Sequence, residues 1–397
     1  MRAQVLYGIG NLKYADVEKP VPMEGQALIR VSRCGICGSD IPRIFKTGAH
    51  NMPLIPGHEM AGVIEECPDR PDLVGKRTGI FPLIPCKKCP QCCAGHYEMC
   101  ESYDYLGSRS DGGFAEYVKV PVWNLLPVPD AVSDDEAAML EPMAVAVHAI
   151  RQVGLLRGFD AEGEMRVFNE NKAVSAESVA SDAYGNSYAR DSSPNIVVCG
   201  LGTIGLLTVL FLKDAGYRNL FCIGNKDVQR EKALAMGIEP ENYCDVRSAD
   251  PKAFIKEKTG GRGADYYFEC IGRSESYEQA VNCTAPLGHV MLVGNPASDM
   301  ELTRDVYWKI LRNQMTLHGT WNSSFAGFES NNPSDDWTYV LKRLESWNAA
   351  KSSGKSLFLP RDLITHRYTL EDLPKGLDIM RRKSEGYVKI MCDCNKV

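Results

Sequence analysis

The sequence predicts an α/β protein: a doubly wound parallel sheet joined to a second, mostly β domain. Three observations lead there. From Asn195 onward strands alternate with helices, which implies a parallel sheet covered by helices on both faces. The glycines Gly200, Gly202 and Gly205 follow an apolar strand directly and open a helix. The first 130 residues instead carry short β-type runs broken by glycine and proline.

The elements follow in order. Runs 26–32 (QALIRVS), 60–65 (MAGVIE) and 114–120 (FAEYVKV) are expected strands of the irregular β domain. Ser133 with Glu136 three residues later (SDDE) forms a capping box and predicts a helix reaching about Gln152. Residues 158–194 are rich in Ser, Ala, Asp, Asn and Glu and read as a solvated surface insertion. The alternative is a lid or an oligomer contact anchored by Met165, Val167 and Phe168. Beyond it, NIVVC (195–199) is a buried strand and 204–215 a helix. LFCIG (220–224), GADYYFEC (263–270) and HVMLVG (289–294) are further strands. After about Leu317 the β-like character returns, and YVKIMC (387–392) closes the chain as a strand. The expected organisation is a β domain over 1–153, an insertion at 154–194, the parallel sheet over 195–318, and a return to the first domain over 319–397.

With 397 residues the chain is long enough for two domains with sizeable cores. Its 44 % apolar and 24 % charged residues are ordinary for a soluble globular protein. A formal charge of −6 argues against nucleic acid or an anionic membrane as the main partner. No apolar run reaches the roughly 18 residues of a membrane span, and the start carries no signal-peptide pattern. Fifteen scattered cysteines, an odd number, fit a reducing compartment, so the expected location is the cytoplasm.

Cys86, Cys89, Cys92 and Cys100 have the spacing C-x2-C-x2-C-x7-C. One loop of that kind folds around a tetrahedral ion and leaves no open position, which makes a structural zinc site. An iron–sulfur cluster ranks second, and Cys93 is an expected bystander. The chemistry must then lie elsewhere. Cys37 in GICGSD, His58 and Glu59 in PGHE, and Glu141 in LEP offer thiolate, imidazole and carboxylate donors. Three such ligands plus an open position make a catalytic metal site.

The glycine motif GLGTIG (200–205), with Thr203 and Ile204 inside it, reads as a dinucleotide site. The pyrophosphate rests at the helix N-terminus, where unpaired N–H groups point outward. An acid at the end of the second strand would bind the ribose hydroxyls of NAD. That place holds Gly224, followed by Asn225, Lys226 and Arg230. A missing carboxylate with nearby cations puts NADP(H) ahead of NAD(H).

These motifs, together with DGGFAEY (111–117), make the chain resemble the zinc-dependent medium-chain dehydrogenase/reductases, and within them the polyol and sugar-alcohol branch. The resemblance runs from the N-terminus to the last strand, excluding the insertion. It implies a GroES-like catalytic domain beside a Rossmann domain, and two zinc ions per chain. It implies a catalytic zinc on Cys37, His58 and Glu141, with Glu59 close enough to exchange. It also implies that Ser39 receives the substrate's hydroxyl proton, with His50 a later station. The expected activity is oxidation of a secondary hydroxyl of a polyol phosphate to a ketose phosphate, in a homodimer or homotetramer. Arg43 is the leading candidate for the phosphate, with Lys46 and Arg109 beside it, and Trp321 and Asn322 are expected to line the pocket. A non-phosphorylated polyol, sugar or secondary alcohol is the alternative substrate. A non-enzymatic dinucleotide or redox sensor is the distant one.

Overall fold

The computed structural model describes residues 1–156, 180–181, 187–188, 193–296, 298–328, 330 and 335–395. Most of the expected insertion, with its anchors Met165, Val167 and Phe168, lies outside the described residues. The chain forms two compact units, Met1–Ala144 with Ser323–Val397, and Val145–Asn322.

The first unit is built on a seven-stranded sheet. Its long central strand, Gln26–Ile36, pairs with Glu59–Glu66, Lys389–Asp393 and Tyr117–Pro121, all antiparallel. Ala27, Ile29 and Val31 are buried in the core below that strand, as the period of two requires. The register matters for function. Gly35 lies opposite Glu59, and Ile36 lies opposite Ile390. The end of the central strand, the start of one neighbour and the start of the last strand therefore meet at one point.

The capping box at Ser133 forms in full: Ser133 Oγ accepts from the Glu136 N–H while Glu136 accepts from the Ser133 N–H. The expected single helix is two, Asp134–Ala138 and Leu140–Gln152. The break falls at Met139, just before the segment that carries Glu141.

The C-terminal return is less β-like than its sequence suggests. It contains the helices Asp336–Ser352 and Leu373–Arg382 as well as the strands Ile364–Thr369 and Lys389–Asp393. Helix Asp336–Ser352 buries Trp337, Tyr339, Val340, Leu344 and Trp347, and so lacks a clean polar face to betray it. Its start is capped by Asp335, which accepts from the Thr338 N–H at 2.7 Å.

The second unit holds a six-stranded sheet. Its order is Tyr243–Asp245, Leu220–Gly224, Ile196–Cys199, Ala264–Glu269, Thr284–Leu292, Thr316–Gly319, with every pair parallel. The strand order reverses beside Ile196–Cys199, which is where such sheets bind ligands. Helix Thr203–Asp214 starts at that point. No helix among the described residues is long and apolar enough to cross a membrane.

Candidate functional site

Cys86, Cys89, Cys92 and Cys100 bring their sulfurs within 4.8 Å of one another. The Cys86 N–H donates to Cys100 Sγ at 3.2 Å. Backbone N–H groups of Cys92 and Glu101 pull the Cys89 thiol down to about 6, so a thiolate forms readily there. Four thiols so placed fit a tetrahedral ion, for which sulfurs lie about 3.8 Å apart. Cys93 is exposed and outside the group.

The second donor set sits where the three strands meet. Cys37, His58 and Glu59 place one ligand atom each within 4.8 Å of the others. Asp40 organises them from beneath. It is fully buried, accepts from the Cys37 N–H at 2.9 Å, and lies 3.5 Å from His58 Nδ1. Burial raises the Asp40 carboxyl, but His58, Arg43 and the Cys37 N–H outweigh it and hold it below its ordinary value. A charged Asp40 keeps a proton on Nδ1 and leaves Nε2 of His58 for a metal.

The group thus contains Glu59 and not the expected Glu141, and each of these two carboxylates is held by a different partner. Glu59 is ion-paired with Lys389, whose Nζ also donates to the Ile36 carbonyl at 3.1 Å. Lys389 is only 1 % exposed, a cation buried beside thiol and carboxylates. Space for the pair exists because residue 35 is glycine. A Cβ there would lie 2.7 Å from Lys389 Cε and overlap the Glu59 carboxylate. Glu141, in the first turn of its helix, accepts from the Tyr105 hydroxyl at 3.2 Å. Burial pushes Glu141 up to about 7 in the metal-free chain. The Tyr105 ring stands edge-on to His58 at 5.8 Å. Thiol, imidazole and two buried carboxylates with a compensating cation fit a zinc ion with one open position.

The other expected residues fall as follows. Ser39 Oγ donates to Cys37 Sγ at 3.3 Å. His50 is exposed, and its backbone N–H donates to the Ser108 carbonyl at 3.3 Å. Arg43 is not idle: its Nη1 donates to Asp40 Oδ1 at 2.7 Å. Lys46 is exposed. Arg109 stacks on the Tyr103 ring at 4.7 Å and lines a cavity of about 520 Å³ together with Asn51, apart from the metal donors. Trp321, half exposed, and Asn322, at φ 53°, belong to the second unit.

In that unit the glycines behave as a phosphate cradle demands. Gly200 takes φ 90°, a conformation open to glycine. A Cβ on Gly205 would strike the Gly200 carbonyl, while one on Gly202 would meet no protein atom within 4 Å. Gly202 also begins helix Thr203–Asp214 with no side-chain cap, so the first N–H groups face open space. Thr203 and Ile204 form that first turn. Asn225 is exposed beyond Gly224, Lys226 is the N-cap of helix Asp227–Ala235, and Arg230 lies on it.

Residues 23–130 match the model of the alcohol dehydrogenase GroES-like domain, and 203–346 that of the zinc-binding dehydrogenases. Galactitol 1-phosphate 5-dehydrogenase of Escherichia coli K12 is 30 % identical over 390 residues, spanning 96 % of this chain and 97 % of that one. The chain belongs to the zinc-dependent medium-chain dehydrogenase/reductase family. Sorbitol dehydrogenase of Halalkalibacterium halodurans is 28 % identical over 97 % of this chain and 96 % of the relative. A crystal structure of galactitol-1-phosphate dehydrogenase from Escherichia coli superposes with a TM-score of 0.79 at 26 % identity, covering 99 % of this chain and 100 % of that one. The protein is thus an oxidoreductase acting on CH–OH groups, with zinc and a nicotinamide dinucleotide as cofactors.

Asp40, Lys389 and Tyr105 escaped the sequence reading. Lys389 left a trace, a lone charge in the apolar run YVKIMC. Asp40 stood within GICGSD as an acid three residues after the thiol. Tyr105 gave no local signal.

Proposed function

We propose that the protein oxidises a secondary hydroxyl of a polyol phosphate to the ketose phosphate, reversibly, with galactitol 1-phosphate to tagatose 6-phosphate as the first reaction to test. The observation that carries this reading is near-full-length similarity to galactitol 1-phosphate 5-dehydrogenase. The donor set, Cys37 and His58 with Glu59 or Glu141, and the loop of four cysteines are read as the catalytic and structural zinc sites. When bound, zinc supplies a Lewis acid toward the substrate oxygen, and the nicotinamide supplies the hydride acceptor.

The chain's own residues do the rest. Asp40 holds His58 in one tautomer. Lys389 and Tyr105 each restrain one carboxylate, so that donors are present without closing the open position. Ser39, beside Cys37, receives the hydroxyl proton at Oγ. Among the described residues no hydrogen bond joins Ser39 to His50, so onward transfer runs through solvent or a rotated His50. NADP(H) serves at least as well as NAD(H), because Gly224 offers no carboxylate to a ribose hydroxyl.

A second reading, a free polyol, is supported by the similarity to sorbitol dehydrogenase and by the commitment of Arg43 to Asp40. Turnover on galactitol 1-phosphate, galactitol, sorbitol and threitol with both cofactors separates the two. A kcat/KM at least about tenfold higher on the phosphorylated substrate, some 1.4 kcal/mol, is expected. A preference for a free polyol replaces this proposal with the second reading.

A further inference from the structure

We propose that Tyr243 determines the cofactor preference of this enzyme: its hydroxyl fills the space that the Cβ of a ribose-binding acid at 224 would need, and offers a 2′-phosphate a hydrogen-bond donor instead. This deepens the NADP(H) reading above.

The geometry begins with the sheet. Strand Tyr243–Asp245 is its edge on this side, with Tyr243 paired to Cys222 and Asp245 to Gly224. Residue 224 closes the second strand, the position from which an acid reaches the ribose hydroxyls in NAD-binding sheets. An ideal Cβ on Gly224 would lie 2.6 Å from Tyr243 Oη and 3.2 Å from Leu201 Cδ1. Leu201 and Tyr243 are both buried, so neither wall yields cheaply. Glycine at 224 is therefore not a casual absence of an acid. The volume an acid needs is filled by the tyrosine.

Tyr243 is 8 % exposed, and its Oη finds no hydrogen-bond partner among the described residues. Leaving a buried polar atom unpaired is costly, and a water or a ligand atom from outside the chain would pair with it. A phenol and a carboxylate differ in what they can donate. The ionised carboxylate only accepts, which suits a ribose hydroxyl and repels a phosphate, whereas the phenol can also donate, to a phosphate oxygen.

The surrounding charges agree. The Arg230 guanidinium lies 5.8 Å from the centre of the Tyr243 ring. The two acids near the strand end are already engaged: Arg247 binds Asp227 at 2.5 Å and Asp245 at 2.6 Å. The guanidinium that the two acids share offsets part of their repulsion toward a phosphate.

The test uses adenosine fragments and the whole chain, read by titration calorimetry without turnover. Adenosine 2′,5′-bisphosphate is expected to bind at least about tenfold more tightly than 5′-AMP. Tyr243→Phe keeps the ring and removes only the hydroxyl. It is expected to weaken the bisphosphate about tenfold or more, the loss of a charge-assisted hydrogen bond, and to leave 5′-AMP within about twofold. Gly224→Asp alone weakens both fragments, and adding Tyr243→Ala restores 5′-AMP and makes it the preferred fragment. The proposal is overturned if wild type prefers 5′-AMP, if Tyr243→Phe changes neither fragment or both alike, or if Gly224→Asp alone already favours 5′-AMP. Neither fragment carries a nicotinamide or meets the polyol, so this result stands or falls separately from the substrate assignment.

Discussion

Two buried charges decide what single side chains do here. Arg43 was expected to hold substrate phosphate, yet its closest partner is Asp40, which positions His58. Arg43→Ala should therefore lower kcat/KM on phosphorylated and free polyol alike. A selective loss, about ten- to a hundredfold on the phosphorylated substrate only, would instead mark a residue that holds the phosphate. Steady-state kinetics of Arg43→Ala on both substrates checks this; a selective loss in that variant returns Arg43 to the phosphate. Lys389 is the second case. In the zinc-free chain, removing it as Lys389→Met leaves Glu59 buried with no cation, which costs about 3–5 kcal/mol. Denaturant unfolding should show that loss, and Glu59→Gln in the same chain should recover most of it. Unfolding of Lys389→Met within 1 kcal/mol of wild type, by about the scatter of ordinary surface changes, contradicts the buried-pair account.

The segment 86–100 has almost no regular structure, only Pro90–Cys93 and Tyr97–Met99 as short helical turns. Its order must come from the ion its thiols hold. Cys89→Ser should halve the zinc content from two ions per chain and make this loop the first site of proteolysis, while Cys37→Ser should abolish turnover with the melting temperature nearly kept. Pure, active wild-type protein with a single zinc ion contradicts the structural half of this expectation. Helix Asp134–Ala138 carries the acid-sensitive contact. Its Asp135 accepts from Arg33 at 3.2 Å and from Arg367 at 2.9 Å, tying the helix to strands Gln26–Ile36 and Ile364–Thr369. Burial works to raise this carboxyl, but Arg367 and Arg33 prevail and hold it below 3.8. A depressed acid stabilises the fold above its unfolded pKa, and that contribution fades as pH falls through the folded value. Asp135→Asn should cost about 1.5–3 kcal/mol at neutral pH. The gap from wild type should close as pH falls below about 4, a convergence that pH-dependent melting would reveal.

Assembly is the expectation that concerns the molecule as a whole. Strand Thr316–Gly319 is an unpaired edge of the parallel sheet, and helix Arg304–Arg312 runs directly into it. Tyr307, Trp308 and Leu311 on that helix are each at least half exposed, and Leu317 on the strand is partly so. Edges of that kind are normally covered. A second copy of the chain, pairing edge to edge about a two-fold axis, would cover both at once. Sedimentation should show a dimer or a larger even assembly, and Trp308→Glu with Leu311→Glu should shift it to monomer. A wild-type monomer at micromolar concentration rules this edge out as an interface.

Local pattern was enough for four of the six strands of the second unit's sheet, but not for the short edge strands Tyr243–Asp245 and Thr316–Gly319. Gly200, Gly202 and Gly205 each do a job that follows from having no side chain, and apolar runs bounded by glycine mark strands whatever surrounds them. The two groups of candidate metal donors that the fold brings together could also be listed from the sequence, since thiols and imidazole in such motifs are rare without a use. Helix Asp336–Ser352 was not, because a helix buried on most sides shows no period. Nor were the pairings that decide the chemistry. Lys389 reaches Glu59 across 330 positions of chain, and Tyr105 reaches Glu141 across 36. Tyr243 blocks a glycine that lies on a neighbouring strand. Those contacts are set by strand register and by shared volume, quantities that exist only after the chain has folded back on itself.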